Sequence, residues 1–384
     1  MQKLQKVRTA VKFACAGAVI VLSGCSLFSG KAPSNPPAPL VQFKPALTVR
    51  TVWSASVGNA GEYTFSPAVS GASVYAASAD GTVTRIDAAK GVAAWRINAG
   101  MKLTAGVGTD GFFVAVAGEK GALLVYDAEG KLRWKAQASS EILSSPAVGQ
   151  GLVIVRSLDN RITAYDAESG ERKWTAQRSV PSLTLRSAPG ILIVAQAAFV
   201  ALPGGRLSAL NLANGGPWWE MAIGDPRGTT ELERVADASG MPLLTGKDVC
   251  AVAYQGRVGC FDGGSGAAHW VKNFSSAVGV GGDDRNLYAA DEHGAVSAFT
   301  IDNGTVVWRS DALANRQLSS PVAFGPSVAV GDFEGYIHFL SRENGSLVAR
   351  VRADKSAVLP TSVVAGSNVI FQTKSGTLIA LATE

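Results

Sequence analysis

Charge, histidine and sulfur are all scarce in this 384-residue chain: 17% of its residues are charged, three are histidine and four are cysteine. It has no run of about 20 apolar residues, so nothing in it reads as a membrane-spanning helix. Nor does any segment sustain a 3.6-residue apolar period, which sets aside helical bundles and helical solenoids. His269, His293 and His338 stand far apart without metal-ligand spacing, and surface or loop positions are expected for all three. Asp283-Asp284 lacks the further spaced oxygen ligands of a calcium loop, so it reads as a charged turn. Gly279-Val-Gly281-Gly282 precedes no helical pattern and is not a phosphate loop.

The net charge of +5 comes mostly from the first 24 residues, which hold Lys3, Lys6, Arg8 and Lys12 and no acid. Without those four bases, 31 basic residues face 30 acidic ones, a net of +1. A nearly neutral chain has no electrostatic case for binding a phosphate backbone, so no nucleic-acid partner is expected. The same 24 residues read as an export signal. A basic stretch leads into an apolar run of ten, Phe13 to Leu22, and the run ends in Leu22-Ser23-Gly24-Cys25. That ending has the pattern of a bacterial lipobox, whose cysteine thiol accepts the lipid; an ordinary secretory signal is the plainer alternative. From Ser29 to Pro45 the chain is rich in Pro, Ala and Ser, the composition of a semi-extended tether with no core of its own. The expected division is therefore a signal at 1–24, a lipidated tether at 25–47 and a folded domain at 48–384.

Glycine is abundant, with 43 copies, and much of it is periodic. Gly81-Thr-Val-Thr-Arg-Ile-Asp87 and Gly121-Ala-Leu-Leu-Val-Tyr-Asp127 are followed by Asn160-Arg-Ile-Thr-Ala-Tyr-Asp166, then by units starting at Gly205, Gly256, Gly294, Gly335 and Gly376. The spacing is 38 to 51 residues. Asn at 160 keeps the turn chemistry, since it tolerates a positive φ. A second landmark, Gly-x-x-x-Trp, keeps the same beat at Trp95, Trp134, Trp174, Trp219, Trp270 and Trp308, with Gly345/Ala349 a degenerate copy. Within one period, Ser144 to Val148, Leu152 to Val155, Arg161 to Tyr165 and Arg172 to Ala176 read as four short strands separated by turn residues. Four strands per ~40 residues make a propeller blade, with the tryptophan packing between neighbouring blades. The fold class expected is all-β, an eight-bladed β-propeller of four-stranded antiparallel blades. Trp53 precedes its blade and nothing follows the last unit, so the N-terminal strand should pair with the C-terminal one and close the ring. Seven blades with a stray strand is the alternative.

These repeats resemble the Trp-docking, PQQ-type propellers of bacterial quinoproteins, and within that group the BamB family of the outer-membrane β-barrel assembly machinery. The resemblance runs from lipobox to C-terminus and is specific in three stretches: Leu183-Thr-Leu-Arg-Ser-Ala-Pro189, Gly228-Thr-Thr-Glu-Leu-Glu-Arg-Val-Ala-Asp237 and Gly331-Asp-Phe-Glu-Gly-Tyr-Ile-His338. It implies a non-catalytic scaffold without a cofactor, lipid-anchored through Cys25 on the periplasmic face of the outer membrane. Ser26 follows that cysteine, where an aspartate commonly holds such lipoproteins at the inner membrane. The implied partners are the POTRA domains of BamA and the rest of the BAM complex, with unfolded strands of barrel proteins a further candidate for blade edges. Leu183, Leu185 and Arg186 match the family's BamA-contacting motif, and Asp237 matches a second contact. On spacing alone the two leucines would instead face inward on a strand, and Asp237 would cap a turn. The family usually has another aspartate two residues on, where this chain has Ser239, so that contact is not carried over.

Two other classes compete. A quinoprotein dehydrogenase would need an adjacent Cys-Cys pair and acidic calcium ligands; this chain has no adjacent cysteines, and the 360 residues after the signal are few for that group. A small-ligand or glycan sensor using the central channel is the other. Cys250 and Cys260 lie six before and four after Gly256, roughly opposite on a hairpin, and an oxidising compartment favours a disulfide over buried thiols.

Overall fold

The computed structural model describes residues 35–179, 181–185 and 187–384. Eight four-stranded sheets are arranged as blades at residues 68–98, 108–137, 147–177, 191–222, 238–273, 280–310 and 322–352, with an eighth made from both ends of the chain. In that last blade Val49–Ser56 pairs antiparallel with Thr377–Thr383, giving an eight-bladed ring closed by its termini. Second strands are apolar at nearly every position, as in Ser73–Ala77 and Ala197–Leu202, and third strands such as Arg206–Asn211 are buried over most of their length, because both faces of a blade are covered by neighbours. The core is accordingly split into eight clusters among the described residues, one at each junction between blades.

At most junctions a tryptophan of one blade is clamped to the next. Trp134 donates its indole N–H to Ala167 O (2.8 Å), and Trp219 donates to Gly263 O (3.0 Å). The ring lies on the turn glycine of the Gly-x-x-x-Trp unit, with no room for a side chain. A Cβ at Gly215 would come within 2.4 Å of Trp174, and φ there is +71°. So the glycine of each unit receives the tryptophan of the unit before it. A β-bulge in each outer strand leaves one residue unpaired immediately before the tryptophan position, for example Trp218 before Trp219 and Val348 before Ala349.

The degenerate copy at Ala349 has a structural reason. A tryptophan there would dock on the turn between the third and outer strands of blade eight, and that turn does not exist, because the two strands come from opposite chain ends. The space is taken by the N-terminal segment. Ala46 N and Leu47 N both donate to Val348 O, the bulge carbonyl, and Leu47 packs on the cluster that contains Ala349. Residues 37–47, assigned above to the tether, therefore pack as part of the propeller unit.

Because every blade has an even number of strands, the loops between blades share one face of the disc with the turns between second and third strands. First strands line a central cavity of about 400 Å³ whose walls carry small polar side chains such as Ser66, Ser145 and Thr361 beside the apolar Ile191, Ile193 and Met241. No ionisable side chain is among its described lining residues, while Glu62 and Tyr63 line the adjoining pocket that shares Thr64 and Ala188.

Candidate functional site

Most loops between blades are short, but two are long: 178–190, between blades three and four, and 223–237, between blades four and five. Leu183 and Leu185 lie in the first loop, outside any strand, at 46% and 38% exposure. Arg186 lies outside the described residues, as does Cys25. No strand partner holds the loop in place there. Asp237 does so instead: its Oδ2 accepts the Leu185 amide (2.6 Å) and its Oδ1 accepts the Gly204 amide (2.9 Å). Asp237 is 2% exposed, and its own carbonyl accepts from Tyr254 N and the Ser239 hydroxyl. The acid thus stands beneath the leucine loop, and both its oxygens are engaged. Ser239, where the family pattern has an aspartate, is also buried and serves the same backbone.

Beside this acid lies a side chain the sequence did not reveal. Arg156, at the end of Leu152–Arg156, is buried, with a hydrogen bond to Ser144 Oγ (3.4 Å) and, among the described residues, no partner for its Nε. Burial pushes its guanidinium down to about 10, and the charge of Asp237 opposes that loss. Only the assembled fold brings blade three's arginine near the aspartate of blade five.

The second loop is ordered by its own sequence. Thr230 and Glu233 form a capping box: Glu233 Oε2 accepts the Thr229 and Thr230 amides (2.9 and 3.0 Å), and Thr230 Oγ1 accepts the Glu233 amide (3.2 Å). Those amides hold the Glu233 carboxyl below its ordinary range. The turn displays Leu232 at 73% exposure, while Val235 and Ala236 anchor it in the core. Leu232 was within the quoted motif, but periodicity cannot flag an apolar residue that points into solvent. The result is two loops joined through Asp237, showing three leucines on one face. Such apolar anchors on a rigid base suit a protein partner.

Elsewhere, Cys250 and Cys260 are directly opposed on the second and third strands of blade five and form a buried disulfide with Cα atoms 4.0 Å apart. Of the three histidines, His338 departs from the surface placement expected: it is fully buried on Tyr336–Ser341, with Nε2 2.8 Å from Asp332 Oδ2. Desolvation pushes its imidazole down, and the Asp332 carboxylate only partly offsets this. His269 is exposed on the outer strand of blade five, where its Nδ1 meets Asp248 Oδ2 at 2.7 Å near Asp262. Three residues from consecutive strands of blade five are thus gathered, with Lys247 balancing Asp262 at 3.5 Å. Asp283 caps its turn through the Arg285 and Asn286 amides.

Comparison with known proteins places this geometry. The chain matches the family model described as outer membrane protein assembly factor BamB over residues 40–100, 79–310 and 292–384. It is 45% identical over 362 residues to the outer membrane protein assembly factor BamB of Bordetella pertussis, covering 94% of each chain. The corresponding protein of Burkholderia pseudomallei is 44% identical over 370 residues, covering 96% of this chain and 97% of the other. Among solved structures, BamB from Moraxella catarrhalis superimposes with a TM-score of 0.81 at 25% identity, over 87% of this chain and all of that one.

Proposed function

Because the chain belongs to the family of outer membrane protein assembly factor BamB, we propose that it is a non-catalytic scaffold of the outer-membrane protein assembly machinery. It binds the POTRA domains of BamA through the loops at 178–190 and 223–237. Cys25 carries the lipid that holds it on the periplasmic face of the outer membrane. The observation that carries this reading is the pairing of exposed leucines with a buried acid that fixes them. Leu183 and Leu185 contribute apolar contact area, and Asp237 organises their loop without reaching the surface. Arg186, adjacent in sequence, supplies a donor for a carboxylate or peptide carbonyl of the partner.

The lack of adjacent cysteines in the sequence favours the scaffold over the dehydrogenase reading. The test is titration of a POTRA fragment into the soluble mature chain. Leu183→Ala with Leu185→Ala should weaken binding by about 2 kcal/mol or more per residue, with melting unchanged within a few degrees. An unchanged affinity would remove these loops from the interface. Dye reduction after incubation with quinone and calcium would show that the chain is an enzyme after all.

A further inference from the structure

The segment expected to be a free tether is docked along the rim of blade seven, and the contacts that hold it are unusually well built. Ala38 N donates to Ala314 O (2.8 Å) in the loop between blades six and seven, and Arg316 Nη1 donates to Ala38 O (3.0 Å). Further along, Arg350 Nη2 donates to Val41 O (2.8 Å) while its guanidinium lies 5.2 Å from the Phe43 ring. The segment ends with Ala46 and Leu47 on the bulge carbonyl of Val348.

Arg316 is buried at 2% exposure, and each of its guanidinium nitrogens has a partner. Nε meets Asp332 Oδ2 at 2.7 Å, Nη2 meets Glu334 Oε2, and Nη1 meets Ala38 O. Asp332 also receives His338 Nε2 (2.8 Å) and the Glu334 and Tyr336 amides. The quoted stretch Gly331 to His338, which the proposed interface does not use, is therefore the base of this arrangement. A buried cation whose third donor pair is met by a backbone carbonyl of the N-terminal segment is costly to leave unpaired.

We propose that Ala38–Leu47 is a strap that occupies the place of the eighth tryptophan dock. Arg316 is its latch, and the strap runs from the outer strand of blade seven to the disc face that bears the two leucine loops. The direction follows from topology. Leu47 sits at the start of the outer strand Leu347–Arg352, and Ala38 sits on an interblade loop, on the same face as residues 178–190 and 223–237.

Hydrogen exchange on the soluble mature Cys25→Ala chain tests the strap with no lipid involved. The Ala38, Ala46 and Leu47 amides should exchange at least ~10-fold more slowly than in a free peptide of the same residues. Arg316→Lys keeps a charge beside Asp332 but cannot make three forked bonds, so Ala38 should lose its protection while Leu47 keeps most of its own. Arg350→Gln, at the surface, should loosen residues 41–43 without affecting the fold. Exchange of all three amides at the free-peptide rate in the unaltered chain would overturn the strap. Unchanged Ala38 protection in a folded Arg316→Lys variant would overturn the latch.

Discussion

Replacing Asp237 with asparagine tests whether that residue touches the partner or acts through the leucines. The carboxylate accepts two amides, Leu185 N at 2.6 Å and Gly204 N at 2.9 Å. A carboxamide offers one acceptor and turns an NH₂ toward the other N–H, so one bond is lost and one donor–donor clash is created. A charge-assisted bond to a buried acid is worth ~1.5–3 kcal/mol. The Leu185 loop, however, is half open to water and relaxes outward, which limits the cost of these bonds to global stability to ~1 kcal/mol, or about one to two degrees of melting in a domain of this size, with a further loss from the charge that faced the buried Arg156 guanidinium. Most of the effect should appear in binding, because a leucine loop free to wander must be reordered by the partner at ~1–2 kcal/mol per residue fixed. The expected loss of affinity is thus about 10- to 100-fold. Calorimetric titration of the POTRA fragment should be run as a double-mutant cycle of Asp237→Asn with Leu183→Ala/Leu185→Ala. An indirect role predicts that the combined variant binds little worse than the leucine variant alone. If the two losses add in full, Asp237 contacts the partner itself and its placement beneath the loop is incidental.

Trp134→Ala removes a docked indole and its bond to Ala167 O; a cost of ~3–5 kcal/mol should lower the melting temperature by about 5 °C while leaving POTRA affinity alone, and a drop under about 2 °C would deny the docks their structural weight. At Asp354, burial works against the charge, but the Ser375 and Thr373 hydroxyls and the Ser356 amide prevail and hold the carboxyl down to about 2. With the folded value below the unfolded one, its contribution is complete above about pH 4 and is lost as pH falls toward 2; Asp354→Asn should be less stable at neutral pH and should lack that part of the acid profile, and a parallel acid titration of the two proteins would refute this. Thiol titration of the denatured, non-reduced mature chain should find no free thiol from Cys250 and Cys260, and serine at both should leave partner binding intact. Cys25→Ala should move the protein from the membrane fraction to the soluble periplasm; continued tight fractionation with outer membranes lacking BamA would remove the lipid from the explanation.

Repetition made most of the fold legible. Glycine at one turn, tryptophan four residues after the next and apolar strands between them recur from blade to blade, with few exceptions, because each blade meets the same steric problem. The same local rules thus announce the blade wherever it occurs. Ring closure could also be read, since Trp53 without a preceding unit and Gly376 without a following one leave two halves of a single sheet. The turn at 230–233 was equally local, its Thr and Glu three residues apart. What the chain could not disclose is where unlike segments meet. Spacing alone put Leu183 and Leu185 on a strand, and only the bonds from Leu185 and Gly204 to an acid 52 and 33 residues away hold them out as a loop. The burial of Arg156 and of His338, the docking of residues 38–47 and the reason for Ala349 arise in the same way. Each depends on contacts across junctions between blades or between the chain ends, and such contacts carry no period. A local pattern repeats when its cause lies within a few residues; a contact made once, between distant parts of the chain, leaves no echo in the sequence and is decided by the closed ring.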